Sequence, residues 1–332
     1  MKKVIVFGNG LGRAIDNDFY SLTRVLRQSW ADDDVVSREY KRLISNCLNN
    51  GVFECDEPPA PTKEDELSDL QRVIDACDTI LQFEAEDGEE DVGWLTDYGR
   101  KFPAAIRRYF HHAASQFHDP DRRLPEEFAK SLRAWVIRDR PTVATLNYDD
   151  LLYECFTETR VFKEHMLRDG FLGGKFDIER HEKLYNPKTE GWFLHLHGSP
   201  LFVNRQNAAC KITRAKLAEY RGESSVHLVL TNADAKPGVI FGSEILRAYW
   251  LKFEALVQRA EEITLFGYGG GDLHLNSLLA RTGPQQTIRV ICRAGARDDE
   301  ACRAEWVERL TPKPAKLIDV IPCENVLMFN EW

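Results

Sequence analysis

The chain has 332 residues and eight cysteines, at 47, 55, 77, 155, 210, 292, 302 and 323, but no C-x-x-C pair and no Cys/His spacing of a zinc site. Reduced, at least half-buried thiols of a cytoplasmic protein are therefore expected, with no metal. It also lacks any apolar run near the roughly 18 residues that span a bilayer. Val4-Ile5-Val6-Phe7, after Met1-Lys2-Lys3, falls short of the roughly 7–15 apolar residues of a secretory signal, and Gly8 ends it. These absences predict a soluble, cytoplasmic protein with no membrane partner. Basic residues are not in excess: 44 Lys and Arg face 53 Asp and Glu, a net charge of −9. Coating a nucleic acid needs the opposite balance, so direct nucleic-acid binding is not expected. No internal repeat or low-complexity tract interrupts the chain. Hydrophobic residues make up 43%, with 18 Phe and 7 Trp, which is enough for a real core and excludes wholesale disorder.

Short β-branched runs recur and read as strands buried on both faces. They are Val4–Phe7, Thr142–Leu146, Phe193–Leu196, Ile263–Phe266, Ile288–Ile291, Leu317–Ile321 and Val326–Phe329. Helical spacing lies between most of them, as in Leu246, Trp250, Phe253 and Leu256/Val257, or Leu151/Leu152 with Cys155/Phe156. Strands alternating with helices predict an α/β fold: a doubly wound, Rossmann-type parallel sheet in one domain over 1–332. Residues 20–140 break the alternation. Leu67, Leu70, Ile74 and Leu81 fit one helix, with Thr62 as its N-cap. Ile106, Phe110, Ala113/Ala114 and Phe117 fit a second, and Phe128, Leu132, Trp135 and Val136 a third, with Pro125 in its first turn. This stretch reads as a helical insertion after the first strand, with Pro58-Pro59-Ala60-Pro61 as a linker inside it.

Four of the strands end in polar or glycine-rich segments, where open α/β sheets bind ligands. Gly8-Asn9-Gly10-Leu11-Gly12-Arg13 would let backbone N–H groups approach a phosphate. It lacks the third glycine of the dinucleotide fingerprint, because Arg13 stands there, which counts against an ordinary Rossmann oxidoreductase. It also lacks the Gly-Lys-Ser/Thr of a P-loop. Alone it is as readily a plain turn. Asn147 or Asp149 in Thr145-Leu146-Asn147-Tyr148-Asp149-Asp150 could simply cap the next helix. Period-two alternation puts His195 and His197 on one face, with His197 at the strand end beside Gly198, a place for a general base. A two-His metal site is the rival there, without a third ligand nearby in sequence. Gly267-Tyr268-Gly269-Gly270-Gly271-Asp272 implies close backbone approach or left-handed turns, with Asp272 as a helix cap or a partner for a ribose hydroxyl.

Together and in this order, the four segments resemble the sirtuin family. Gly8-Asn9-Gly10 is similar to its Gly-Ala-Gly loop, Thr145 to Asp149 to its Thr-Gln-Asn-Ile-Asp segment, His197-Gly198 to its His-Gly pair, and Gly267-Tyr268-Gly269 to its later Gly-Thr/Tyr-Ser turn. Asn147-Tyr148-Asp149, Leu196 to Ser199, and Gly267-Tyr268 with Asp272 look most like the divergent bacterial sirtuin-like NAD hydrolases of anti-phage defence, such as the Thoeris effector. The zinc-binding cysteines of the deacetylases are missing, which argues against deacetylation. The resemblance implies cleavage of the nicotinamide–ribose bond of NAD, the substrate, with Asn147 and His197 catalytic. It implies Gly8, Asn9, Gly10 and Leu11 along the pyrophosphate, Asp149 fixing the site or contacting the nicotinamide side, and Gly267, Gly269 and Asp272 at the phosphate or adenosine half. It also implies a held-off state, as a homo-oligomer or in complex with a HerA-type ATPase, a short Argonaute or a nucleotide-sensing protein. The insertion is then a candidate for gating, or only a cover for the sheet. The other readings are an inactive NAD or ADP-ribose sensor and an ADP-ribosyl transferase.

The negative charge is local. Residues 54–91 hold 15 acidic and 2 basic side chains, a net of −13, which leaves the rest of the chain at +4. The acidic stretch reads as a solvated face or a contact for a basic partner. The sheet portion, mildly basic, suits a ligand with an anionic pyrophosphate.

Overall fold

A computed structural model describes residues 2–49, 58–87, 97–157, 167–179, 190–205, 208–220, 226–231, 234–283, 285–294, 299–310 and 317–332. Cys55 and both ends of the acidic stretch 54–91 lie outside them.

Strand β1 (Lys3–Phe7) is followed by α1 (Gly10–Ile15) and by five helices: α2 (Leu22–Ala31), α3 (Arg38–Asn49), α4 (Glu64–Asp87), α5 (Asp97–Ser115) and α6 (Glu126–Asp139). Then come β2 (Thr142–Thr145), α7 (Leu151–Thr157), β3 (Leu167–Arg168), β4 (Phe171–Leu172), β5 (Lys175–Phe176), β6 (Gly191–His195), β7 (Phe202–Arg205), β8 (Ala208–Lys211) and α8 (Arg214–Leu217). The rest is α9 (Lys236–Gly242), α10 (Glu244–Val257), β9 (Glu262–Phe266), α11 (Leu273–Ala280), β10 (Thr287–Arg293), α12 (Asp299–Leu310), β11 (Leu317–Cys323) and a 3₁₀ turn over Val326–Met328.

Seven strands form one parallel sheet in the order β11-β10-β9-β1-β2-β6-β3. Leaving out the short edge strand β3, this is the doubly wound order of a Rossmann-like fold. Its reversal point falls between β1 and β9, where such sheets open a crevice at their carboxyl ends. Register brings the four segments to one level. His195 pairs with Thr145, Thr145 with Phe7, and Phe7 with Phe266. The next residues carry the ladder one step further: Leu196 N–H donates to Thr145 O, Leu146 N–H to Phe7 O, and Gly8 N–H to Phe266 O.

The alternation in β1 explains both layers. Ile5 and Phe7 point into a core shared with the insertion, among them Leu26, Tyr109, Leu132 and Trp135. Val4 and Val6 point into the opposite core, with Tyr249, Phe253 and Leu275 of α10 and α11. The insertion thus covers one face of the sheet. Leu67, Leu70 and Ile74 of α4 are buried as the spacing predicts. Thr62, the expected N-cap, lies one residue further out: Lys63 precedes the helix and donates its N–H to Glu66 Oε2 at 3.2 Å, the return half of a capping box, while Thr62 adds its own N–H (2.5 Å) and hydroxyl (3.3 Å) to the same oxygen. Pro125 sits at the N-cap position rather than in the first turn of α6.

One expected strand is absent. Val326–Phe329 is not a strand: Asn325 Oδ1 accepts from Leu327 N–H at 2.9 Å and starts a 3₁₀ turn, whose three-residue spacing buries Val326 and Phe329 together. A second, antiparallel sheet, β4-β5-β8-β7, was not legible, because strands of two to four residues leave too little alternation to read. Of the thiols, Cys155 and Cys210 are buried and Cys47, Cys77, Cys292, Cys302 and Cys323 half-buried. No helix among the described residues is long and apolar enough to cross a membrane.

Candidate functional site

The two glycine loops pack on each other. Gly8 and Gly10 donate their N–H groups to Phe266 O (2.9 Å) and Gly267 O (2.8 Å). A Cβ on Gly10 would stand 2.5 Å from Gly267 O, and Gly267 itself takes a left-handed φ of 59° against Leu11 N. Much of the glycine content therefore lets one loop lie on the other, and the first loop spends these N–H groups within the protein. Leu11 is not at the crevice: its side chain is fully buried in the core, and its N–H donates to Gly8 O. Gly10 faces a second cavity rather than the first.

Gly269 and Gly271 differ from these. A Cβ on either would meet nothing within 4 Å, and both are exposed. Packing does not demand glycine there. Gly269 borders a cavity of about 270 Å³ on one side and one of about 460 Å³ on the other.

The smaller cavity gathers Gly8, Asn9, Asn147, Asp149, His197, Gly269 and Asp272 from all four segments. Asn9 turns its side-chain amide away to Tyr20 O (3.0 Å). Asn147 is nearly buried. Its Nδ2 donates to Gly8 O at 3.1 Å, while Oδ1 has no hydrogen-bond partner among the described residues. A buried amide oxygen left unpaired costs roughly 1–3 kcal/mol, so a ligand or water donor is implied. Tyr148, between the two polar residues, is held by Phe117, by His118, which donates to its carbonyl at 2.8 Å, and by its own hydroxyl donating to Val229 O. Asp149 Oδ1 accepts from Leu151 N–H (3.1 Å), the capping role the sequence allowed. Burial pushes the Asp149 carboxyl up to about 7, with the neighbouring Asp150 adding to it against the Leu151 hydrogen bond.

His197 owes its position to Gly198, which takes φ 82° and carries its would-be Cβ 1.8 Å from His227 O, a place no side chain could occupy. This turn separates the two histidines. His195 ends β6 and packs between Phe193 and Phe202, where burial drives its ring pKa down to about 3. The strand stops at His195, so period-two alternation does not extend to His197, and of the two only His197 lines the cavity.

His197 Nε2 lies 2.7 Å from Asp272 Oδ2. Asp272 Oδ1 accepts from Leu275 N–H (3.0 Å), so this residue both caps α11 and holds the histidine. Its carboxyl would be raised by burial, but the hydrogen bond and charge of His197 and the ammonium of Lys236 outweigh that and hold it well below the usual range. Asp272, expected at the phosphate or adenosine half, is thus placed beside His197. An ionised Asp272 accepts Nε2–H, so Nδ1, which has no hydrogen-bond partner among the described residues, keeps a lone pair on a ring that lines the cavity.

Lys236, Glu64 and Tyr268 are among the lining residues that the sequence did not mark out for the site. Lys236 donates to Asp272 Oδ2 at 3.0 Å. Glu64 opens α4, and Tyr268 accepts from Asp272 N–H (2.8 Å) while donating to Asn276 Oδ1 (2.9 Å). Tyr268 sat in a recognised segment, whereas a single Lys or Glu in a helical stretch gives no signal. The larger cavity is lined by Arg13 and Arg293 with Glu324 and Asn325. Among the described residues no group of three His, Cys, Asp or Glu side chains is placed to hold a metal ion.

The chain matches no protein-family model, and no curated protein is significantly similar to it. What the fold and site define is a class: a Rossmann-like α/β protein with a polar cavity at the reversal point of its sheet.

Proposed function

We propose that this protein is an NAD hydrolase that cleaves the nicotinamide–ribose bond to give nicotinamide and ADP-ribose. The observation that carries the reading is the division of charge across Gly269. On one side lie His197, Asn147, the carboxylates of Glu64 and Asp272 and the carboxyl group of Asp149, against one ammonium. On the other lie two guanidinium groups against one carboxylate. NAD is divided alike, with a cationic nicotinamide at one end and an anionic pyrophosphate beyond its ribose.

The chemistry follows from that placement. Cleavage builds positive oxocarbenium character on the ribose, which nearby carboxylates favour. The nicotinamide leaves with the bonding electron pair and becomes neutral, so no acid is needed. A water oxygen forms the new bond to the ribose carbon. Asn147 Oδ1 accepts a hydrogen bond from that water or from a ribose hydroxyl, and His197 Nδ1 takes the water proton. An effector of anti-phage defence, held off by self-assembly or by a partner ATPase, Argonaute or nucleotide sensor, is the biological setting this reading proposes.

The test is nicotinamide release by the purified protein, alone and with the products of adjacent genes. His197→Ala and Asn147→Ala are each expected to lower turnover by about 10²-fold or more. Wild-type turnover in both variants would sink the mechanism. Calorimetric binding of NAD without nicotinamide release would favour a sensor, and transfer of label from NAD to a macromolecule an ADP-ribosyl transferase.

A further inference from the structure

Lys236 is only 4% exposed, at the first position of α9. An ammonium so far from water persists only when paired. Its partner is the oxygen of Asp272 that also accepts from His197. The other Asp272 oxygen is taken by Leu275 N–H. A helix cap needs only that second contact. The first oxygen carries two donors, and the ammonium fixes the carboxylate plane in which His197 is held. Glu64 Oε2, 4.0 Å from Nζ, lies beyond hydrogen-bond reach and steadies the ammonium from the insertion side.

We propose that Lys236 is a positioning residue, whose ammonium pins the Asp272 carboxylate so that His197 turns its Nδ1 lone pair to the cavity. It acts through Asp272 and needs no contact with the substrate. The catalytic consequence rests on the hydrolase reading above; the effect on the His197 ring does not. Without Lys236, the buried carboxylate has one partner on that oxygen. It can then take up a proton and donate to Nε2, which moves the ring hydrogen to Nδ1 and removes the lone pair from the cavity.

The experiment compares Lys236→Met, Lys236→Gln and Lys236→Arg with the wild type. Long-range ¹H–¹⁵N spectra of protein labelled at its nine histidines report the ring tautomer, and His197→Gln assigns the signal. The Nε2–H tautomer is expected in the wild type and in Lys236→Arg, and its loss or mixing in the Met and Gln variants. Nicotinamide release is expected to lose about tenfold or more in kcat in the Met and Gln variants, with KM within about threefold, and Lys236→Arg to restore kcat to within about threefold. An unchanged tautomer in a folded Met or Gln variant overturns the proposal, as does a folded Arg variant that loses the Nε2–H tautomer. Should Lys236→Met not fold, Lys236→Gln decides. Should the wild type release no nicotinamide, the spectra still decide the role of Lys236, and only the hydrolase reading falls.

Discussion

Asp149 and Asp272 line one cavity and are driven in opposite directions, one by burial without a cation, the other by an imidazole and an ammonium on a single oxygen. The first has a measurable cost. An unfolded-chain carboxyl ionises near 3.8 and the buried Asp149 near 7. Below the lower value both states hold the proton. Between the two, the unfolded chain releases it and the folded protein does not, so stability falls as pH rises and stays lower above 7. The full loss is about 4 kcal/mol at most. Asp149→Asn keeps the acceptor for Leu151 N–H and cannot ionise. It should therefore gain stability over the wild type progressively between about pH 4 and 7, read by denaturant unfolding at several pH values. A difference independent of pH would refute this account. Asn147, Asp149, His197 and Asp272 were legible because each follows a strand whose apolar run is easy to see. The link between His197 and Asp272 was not, since 75 residues separate them and only the fold brings them together.

Among the elements, the two glycine loops show what a motif does and does not reveal. The sequence marks all these glycines alike, but the structure divides them. Gly10→Ala drives a methyl into Gly267 O and is expected to destabilise the protein by about 1–3 kcal/mol. Gly269→Val meets open space, so its stability should stay within about 0.5 kcal/mol of wild type while binding of ADP-ribose, read by calorimetry, is lost. Loss of stability with binding intact would show that the loop serves packing only. The main strands were readable from their β-branched runs, and the insertion from its 3.6-residue period. The small sheet and the 3₁₀ turn were not, because their spacing is too short to establish a period.

Across the whole molecule, charge and core are segregated differently. The stretch of net charge −13 belongs to the insertion, yet that insertion is not a separate body. Leu67 and Leu70 are buried in the same cluster as Phe7 and Phe266, and Ser68 shares a hydrogen bond with Thr231 at 2.9 Å. Trp332 stacks on Trp135 and Phe266 in that cluster, with its Nε1–H donating to Ser131 Oγ. Such continuity bears on assembly in time. The central strand β1 pairs on one side with Thr142–Thr145 and on the other with Glu262–Phe266. Both closures span long loops, which are slow to form. In stopped-flow refolding, recovery of ADP-ribose binding should coincide with the slowest phase of tryptophan fluorescence rather than precede it. A chain growing from the ribosome would likewise hold no cavity until β9 has emerged. The order of the strands is thus itself a delay, and on the proposed hydrolase reading a partly made copy would cleave no NAD.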